Sequence, residues 1–127
     1  MRPPVLLPVH ILVVDDYRDG AEAIATFLSL SGYGTQFVVS GAEVATAVAL
    51  EAPQIALLDI NMPGMDGFAV ARLLRQTPQT RDAVIIAFTA QDEGTIVKPA
   101  ISAGFDAYCQ KAQSLDRLLL LLREVSN

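Results

Sequence analysis

Three short, unbroken apolar runs constrain this chain more than any other feature: Ile11-Leu12-Val13-Val14, Ile55-Ala56-Leu57-Leu58 and Val84-Ile85-Ile86-Ala87-Phe88. A strand with one face in water alternates polar and apolar residues, so runs without alternation read as strands buried on both faces. Gln36–Val39 and Ala107–Cys109 add two weaker strands. Between them lie segments with apolar residues at helical spacing. Asp19–Leu30 carries Ala23, Ile24, Phe27, Leu28 and Leu30 and stops at Ser31-Gly32. Ala42–Leu50 is closed by Pro53, Phe68–Arg75 aligns Phe68, Ala71 and Leu74, and Ser114 can cap a last helix running to about Val125. The stretch Gln91–Ala103 contains Gly94 and Pro99. An interior proline costs ~3 kcal/mol, so this helix is expected to be short, kinked, or to start near Pro99.

Strand–helix alternation of this kind implies an α/β fold: a single doubly wound five-stranded parallel sheet with helices on both faces. Right-handed crossovers leave few topologies. The flavodoxin-like order 2-1-3-4-5 is expected, with a small Rossmann half as the alternative. The 127 residues suffice for one domain, taken as 9–127, and the 52% apolar content supports a real core. Residues 1–8 read as a flexible leader, because Pro3, Pro4 and Pro8 interrupt any signal-peptide core.

Charge and cysteine content narrow the partners. A net charge of −5 argues against direct nucleic-acid binding, which calls for a basic face. Cys109 is the only cysteine, so no disulfide forms within the chain and a reducing cytoplasm is expected. No run approaches the ~18–20 apolar residues that span a bilayer, so no membrane association is expected.

The chemistry collects where the strands end. Open α/β sheets bind ligands beyond the carboxyl ends of their strands. The first strand ends in Asp15-Asp16, the third in Asp59 and the fourth in Thr89, and the fifth leads to Lys111. Three carboxylates in one crevice repel, so one of them holds a proton unless a cation intervenes. Mg²⁺ suits one or two carboxylates together with waters and a phosphate oxygen. With Asp15, Asp16, Asp59, Lys111 and one Mg²⁺ the formal charges cancel. A carboxylate can attack phosphorus to form an aspartyl phosphate, and Thr89 and Lys111 could receive the added charge.

The motifs Val13-Val14-Asp15-Asp16, Leu57-Leu58-Asp59 with Ile60-Asn61-Met62-Pro63-Gly64-Met65-Asp66-Gly67, Phe88-Thr89-Ala90, and Gly104-Phe105-Asp106-Ala107-Tyr108 with Lys111 resemble response-regulator receiver domains of two-component signalling. The resemblance runs from about Val9 to the last helix. It implies that Asp59 accepts a phosphoryl group from a histidine kinase or a histidine phosphotransfer protein. It also implies that Asp16 and Asp59 bind Mg²⁺ through side chains, Asn61 through its backbone carbonyl, and Asp15 through a metal-bound water. Thr89 and Lys111 would contact the phosphoryl group, and Tyr108 would turn inward on activation. The output would be a changed protein-binding surface on the fourth helix, fifth strand and fifth helix. A downstream protein or a second copy of the chain (a homodimer) would meet that face. Such a domain catalyses only its own phosphorylation and dephosphorylation, with Gln91 placed to tune the latter.

One position departs from the pattern. Receivers usually follow this lysine with proline, often after a cis bond, whereas Ala112 stands here. A cis bond before a non-proline residue costs ~2.5–4 kcal/mol, so a trans bond and a shifted loop are expected. This substitution is the main support for the competing reading, a degenerate receiver that binds proteins without phosphorylation. Lys98-Pro99 falls too early to replace the missing pair.

Other readings fit less well. Asp15-Asp16 could cap the first helix, Asp59 could be a loop acid, Thr89 a turn residue and Lys111 a surface lysine. Each explains one residue and none explains their convergence. A flavin or nucleotide site needs a phosphate-cradling turn where this chain has Asp15-Asp16-Tyr17-Arg18-Asp19. Aspartate-nucleophile phosphatases carry a second acid where Asn61 stands. Cys109 reads as a small buried hydrophobe, His10 as solvated, and Met62 and Met65 as loop packing. Leu115, Leu118, Leu119 and Leu122 form an expected core face of the last helix, with Leu120 and Leu121 widening it toward a partner surface. The initiating methionine suggests a complete single-domain regulator, and without a DNA-binding segment its output is expected to pass through protein contacts.

Overall fold

The computed structural model describes residues 8–126. Most of the expected leader therefore lies outside the described residues. Five strands, β1 (His10–Val14), β2 (Gly34–Val38), β3 (Ile55–Leu58), β4 (Val84–Thr89) and β5 (Ala107–Gln110), form one parallel sheet in the order β2-β1-β3-β4-β5. The helices are α1 (Arg18–Leu30), α2 (Val44–Leu50), α3 (Gly67–Gln76), α4 (Glu93–Ala103) and α5 (Leu115–Ser126), with a 3₁₀ turn over Gly41–Glu43 before α2. This is the doubly wound, flavodoxin-like architecture, and the Rossmann alternative falls away.

The unalternated strands are buried on both sides. Leu12, Val14, Ala56, Leu58 and Ile85 face a core completed by Val44 and Val48 of α2 and Val70 and Leu74 of α3. Ile11, Val13, Ile55, Leu57 and Ile86 face the opposite core, with Ala21, Ala25 and Leu28 of α1 and Leu118 and Leu122 of α5. A smaller cluster of Ile60, Ala87 and Ile96 lies under α4, packed by Phe68, Phe105 and Tyr108. Register brings the functional ends level: Val14 pairs with Leu58, Leu58 with Ala87, and Thr89 with Gln110.

Three expectations need correction. Helix α4 spans Glu93–Ala103 with Pro99 inside it, not a fragment starting near Pro99. Burial of Ile96, Ala100 and Ala103 along one face offsets the proline, while Pro99 itself points to solvent. His10 is buried, not solvated. Its ring packs beside Gly34, its Nδ1 lies 3.7 Å from the Glu51 carboxylate, and its Nε2 has no hydrogen-bond partner. On α5, Leu118 and Leu122 are fully buried, Leu119 and Leu121 pack partly and Leu120 is exposed, in keeping with a stripe that widens toward the surface, but Leu115, expected in the core, is exposed. The core stripe is thus narrower at its start than the leucine spacing suggests. No described helix is long and apolar enough to cross a membrane.

Opposite the acidic end, Arg75 ties the α3–β4 and α4–β5 connections together. Its guanidinium donates to the carbonyls of Gly104, Arg81 and Ala83 and to the Asp106 carboxylate at 2.7 Å. The same Asp106 oxygen accepts the Ile85 amide of β4 at 2.9 Å. Gly104 ends α4 at φ 104°, and a Cβ there would come within 2.8 Å of the Arg75 side chain. Both demands call for glycine. Truncating Arg75 strands several partly buried acceptors, so Arg75→Ala should cost about 2–3 kcal/mol. A denaturant midpoint shifted down at constant slope would show it; an unchanged midpoint would refute the clamp.

Candidate functional site

The acids are carried by the backbone ladder past the ends of their strands. The Asp15 amide donates to the Val38 carbonyl at 3.2 Å and the Asp59 amide to that of Val14 at 2.9 Å. Both side chains are buried, whereas Asp16 is exposed at the rim. Each buried acid spends one oxygen on a backbone amide. Asp15 Oδ1 accepts from Tyr17 at 3.0 Å, and Asp59 Oδ1 accepts from Ile60 at 2.8 Å.

Their other oxygens share one cation. Lys111 Nζ donates to Asp15 Oδ2 at 2.5 Å and to Asp59 Oδ2 at 3.1 Å. The ammonium lies 5.9 Å from the Phe88 ring centre, and the Lys111 amide donates to the Thr89 carbonyl at 2.9 Å. No cis peptide occurs among the described residues, so Lys111-Ala112 is trans as expected. The lysine reaches both carboxylates without the usual proline.

Ionisation follows from this packing. Burial raises the Asp59 pKa above its ordinary value of 3.8. The charge and hydrogen bond of Lys111 and the Ile60 amide pull it back, and the Asp15 charge adds to the rise. For Lys111, burial works against the ammonium, but the hydrogen bonds and charges of Asp15 and Asp59 outweigh it and hold its pKa above the usual lysine value. Asp15, Asp16 and Asp59 each offer an oxygen within 4.8 Å of the others. An all-oxygen, carboxylate-rich donor set of this kind suits a hard divalent cation such as Mg²⁺.

The remaining predicted residues lie around this centre. Asn61 is exposed just beyond Ile60. Thr89 is buried, and its Oγ1 accepts the Gln91 amide at 3.3 Å instead of bonding Asp59. Tyr108 is half-buried, and its hydroxyl donates to the Gln91 carbonyl at 2.5 Å, away from the acids. Cys109 is buried as expected, and that burial pushes its thiol pKa up, with Arg117 opposing. Met62 is buried in the core, and Met65 packs against Gly41.

Sequence reasoning missed the steric role of Gly67. Its amide donates to the Ile60 carbonyl at 2.9 Å, and a Cβ on it would lie 2.2 Å from the Asp59 carbonyl oxygen. Helix α3 can begin against the end of β3 only with glycine here. The available signal was Asp66-Gly67 at a helix start. Asp66 caps α3 by accepting the Ala69 amide at 2.9 Å, and glycine, a poor helix former, follows it.

A carboxylate whose folded pKa is raised binds more protons in the native state than in the unfolded chain. Stability therefore falls as pH rises from the unfolded value through the folded one. Asp59→Asn removes that charge, so its melting temperature should exceed the wild type at pH 7, and the gap should close on acidification toward 3.8. Thermal scans across that range test it; a gap that is absent or reversed at pH 7 would contradict the burial argument.

Comparison with known proteins identifies this arrangement. The response regulator receiver domain family matches residues 11–123, and the chain belongs to that family. It is 37% identical over 117 residues to the response regulator MprA of Mycolicibacterium vanbaalenii, and 36% identical to that of Mycobacterium tuberculosis. These matches cover 92% of this chain and 50% of each relative, so the chain spans about half their length. Among solved structures, chemotaxis protein CheY4 of Vibrio cholerae superposes with a TM-score of 0.89 over 94% of this chain and 99% of that one. At 22% identity it speaks for the fold alone. A response regulator from Chloroflexus aurantiacus, described as putative, superposes at 0.84 with 28% identity, covering 94% and 98%.

Proposed function

We propose that this receiver domain accepts a phosphoryl group on Asp59 from a histidine kinase or histidine phosphotransfer protein and converts it into a changed protein-binding surface. The observation that carries the reading is the meeting of Lys111 with Asp15 and Asp59, which are 96 and 52 residues away from it in sequence. A merely structural ion pair does not require a second buried acid and an exposed third one beside it.

Transfer needs little from the protein beyond position and charge. An Asp59 carboxylate oxygen attacks phosphorus. The P–N bond of the donor phosphohistidine, or the P–O bond of acetyl phosphate, breaks, and the leaving group departs with the electron pair. Asp15, Asp16 and Asp59, with the Asn61 carbonyl, would hold Mg²⁺, which when bound supplies charge neutralisation at the phosphoryl oxygens. Lys111 moves its ammonium from the two acids to the new phosphoryl oxygens. The Thr89 hydroxyl leaves the Gln91 amide and donates to the same group, and Tyr108 follows the vacated space. The domain is a switch and no metabolic enzyme, working in the cytoplasm. Its output face is α4, β5 and α5, where Val97, Ile101 and Leu120 are exposed, and a downstream protein or a second copy would bind there.

Incubation with Mg²⁺ and acetyl phosphate should add one phosphoryl group by intact mass, and Asp59→Asn should add none. Equal behaviour of the two proteins would move the assignment to a phosphorylation-independent binding module. Lys111→Met separates the roles of the lysine. Removing a cation from among three acids should tighten Mg²⁺ binding roughly tenfold while lowering phosphoryl uptake. Titration that showed weaker Mg²⁺ binding would mean that Lys111 organises the acids and does not compete for them.

A further inference from the structure

The loop between β4 and α4 is strapped to β5 at successive residues, and only one strap belongs to the switch described above. Tyr108 holds the Gln91 carbonyl. Two residues on, and so on the same face of the strand, Gln110 donates its side-chain amide to the Ala90 carbonyl at 3.4 Å and to Asp92 Oδ1 at 3.3 Å. Between them the two side chains engage Ala90, Gln91 and Asp92, the whole connection from Thr89 to the start of α4. At its near end the Gln91 amide engages the Thr89 hydroxyl oxygen. Turning that hydroxyl to a group on Asp59 therefore pulls on residues that Gln110 holds back.

We infer that Gln110 is a positioning residue that fastens the β4–α4 loop in its resting conformation, and so sets the fraction of molecules ready to accept and retain a phosphoryl group. The inference rests on the proposed acceptor role of Asp59. Gln110 makes no hydrogen bond to Asp15, Asp16, Asp59, the Lys111 ammonium or the Thr89 hydroxyl. It acts through the loop. When only a minor conformer binds well, apparent affinity scales with its population, so loosening the resting state tightens binding. Both hydrogen bonds are long and solvent-exposed, so their loss is worth a small factor, roughly two- to fivefold.

The test uses beryllofluoride with Mg²⁺ as a stable phosphoryl mimic on the whole chain. Gln110→Val keeps a strand-forming residue and removes the donor. It should lower the half-saturating beryllofluoride concentration roughly two- to fivefold and speed amide exchange of Gln91–Glu93 in the free protein by a similar factor. Mg²⁺ affinity measured alone should not move. Gln110→Glu sets a carboxylate against the Ala90 carbonyl and Asp92 and should shift both readouts further in the same direction. A residue that merely supported the fold would, when replaced, weaken beryllofluoride binding. Half-saturation unchanged or raised in both variants, or loop exchange equal to wild type, would overturn the inference. A wild type that binds no beryllofluoride would refute the acceptor reading, and with it the part of the inference that concerns activation. Loop exchange would still decide whether Gln110 straps the loop.

Discussion

The site depends on the bond that Lys111 makes to two buried carboxylates. Asp15 and Asp59 are brought side by side by the parallel pairing of β1 and β3, and burial makes that proximity costly. One ammonium bridging both acids relieves it. The compensation is incomplete, because Asp59 still has a raised pKa despite the lysine. A site left with unbalanced negative charge is suited to take up a divalent cation. The same imbalance means that the fold is held less tightly at its functional end than it would be without the acid.

The two ends of the sheet are built differently. Away from the acids, the Arg75 guanidinium and Asp106 lock the α3–β4 and α4–β5 connections with short, charge-assisted bonds, and Gly104 is demanded twice over. At the acidic end, the β4–α4 loop is held by the Tyr108 hydroxyl and the longer bonds of Gln110. Helix α4 is thus anchored at its C-terminus and lightly fastened at its N-terminus. That gradient leaves the first turn of α4, at the acidic end, less firmly held than its last turn, which closes the core.

Much of this was legible in the residues. Strands buried on both faces show no alternation, so Ile11–Val14, Ile55–Leu58 and Val84–Phe88 announced a parallel sheet with two covered faces. Acids and a threonine at their ends marked the crevice. Less legible was anything set by neighbours distant in sequence. Pro99 sits inside an eleven-residue helix because Ile96, Ala100 and Ala103 find a core, which local propensity cannot anticipate. His10 is buried because Gly34 leaves room for its ring. Leu115 is exposed because α5 meets the sheet only from Leu118 onward.

The sequence by itself determined the layered architecture and the acids at the strand ends, because periodicity and strand-end chemistry are local; it narrowed the strand order to two candidates, and the pairing of β1 with β2 and β3 chose between them. Only the tertiary structure decided how the charges are shared, which oxygen of each acid is spent on a backbone amide, and why Gly67 must lack a side chain. It also decided that Lys111 reaches both Asp15 and Asp59 without a proline after it, and that Thr89, Tyr108 and Gln110 all engage the β4–α4 loop. Those are questions of distance between groups far apart in the chain, and electrostatic and steric energies depend on that distance and not on sequence separation.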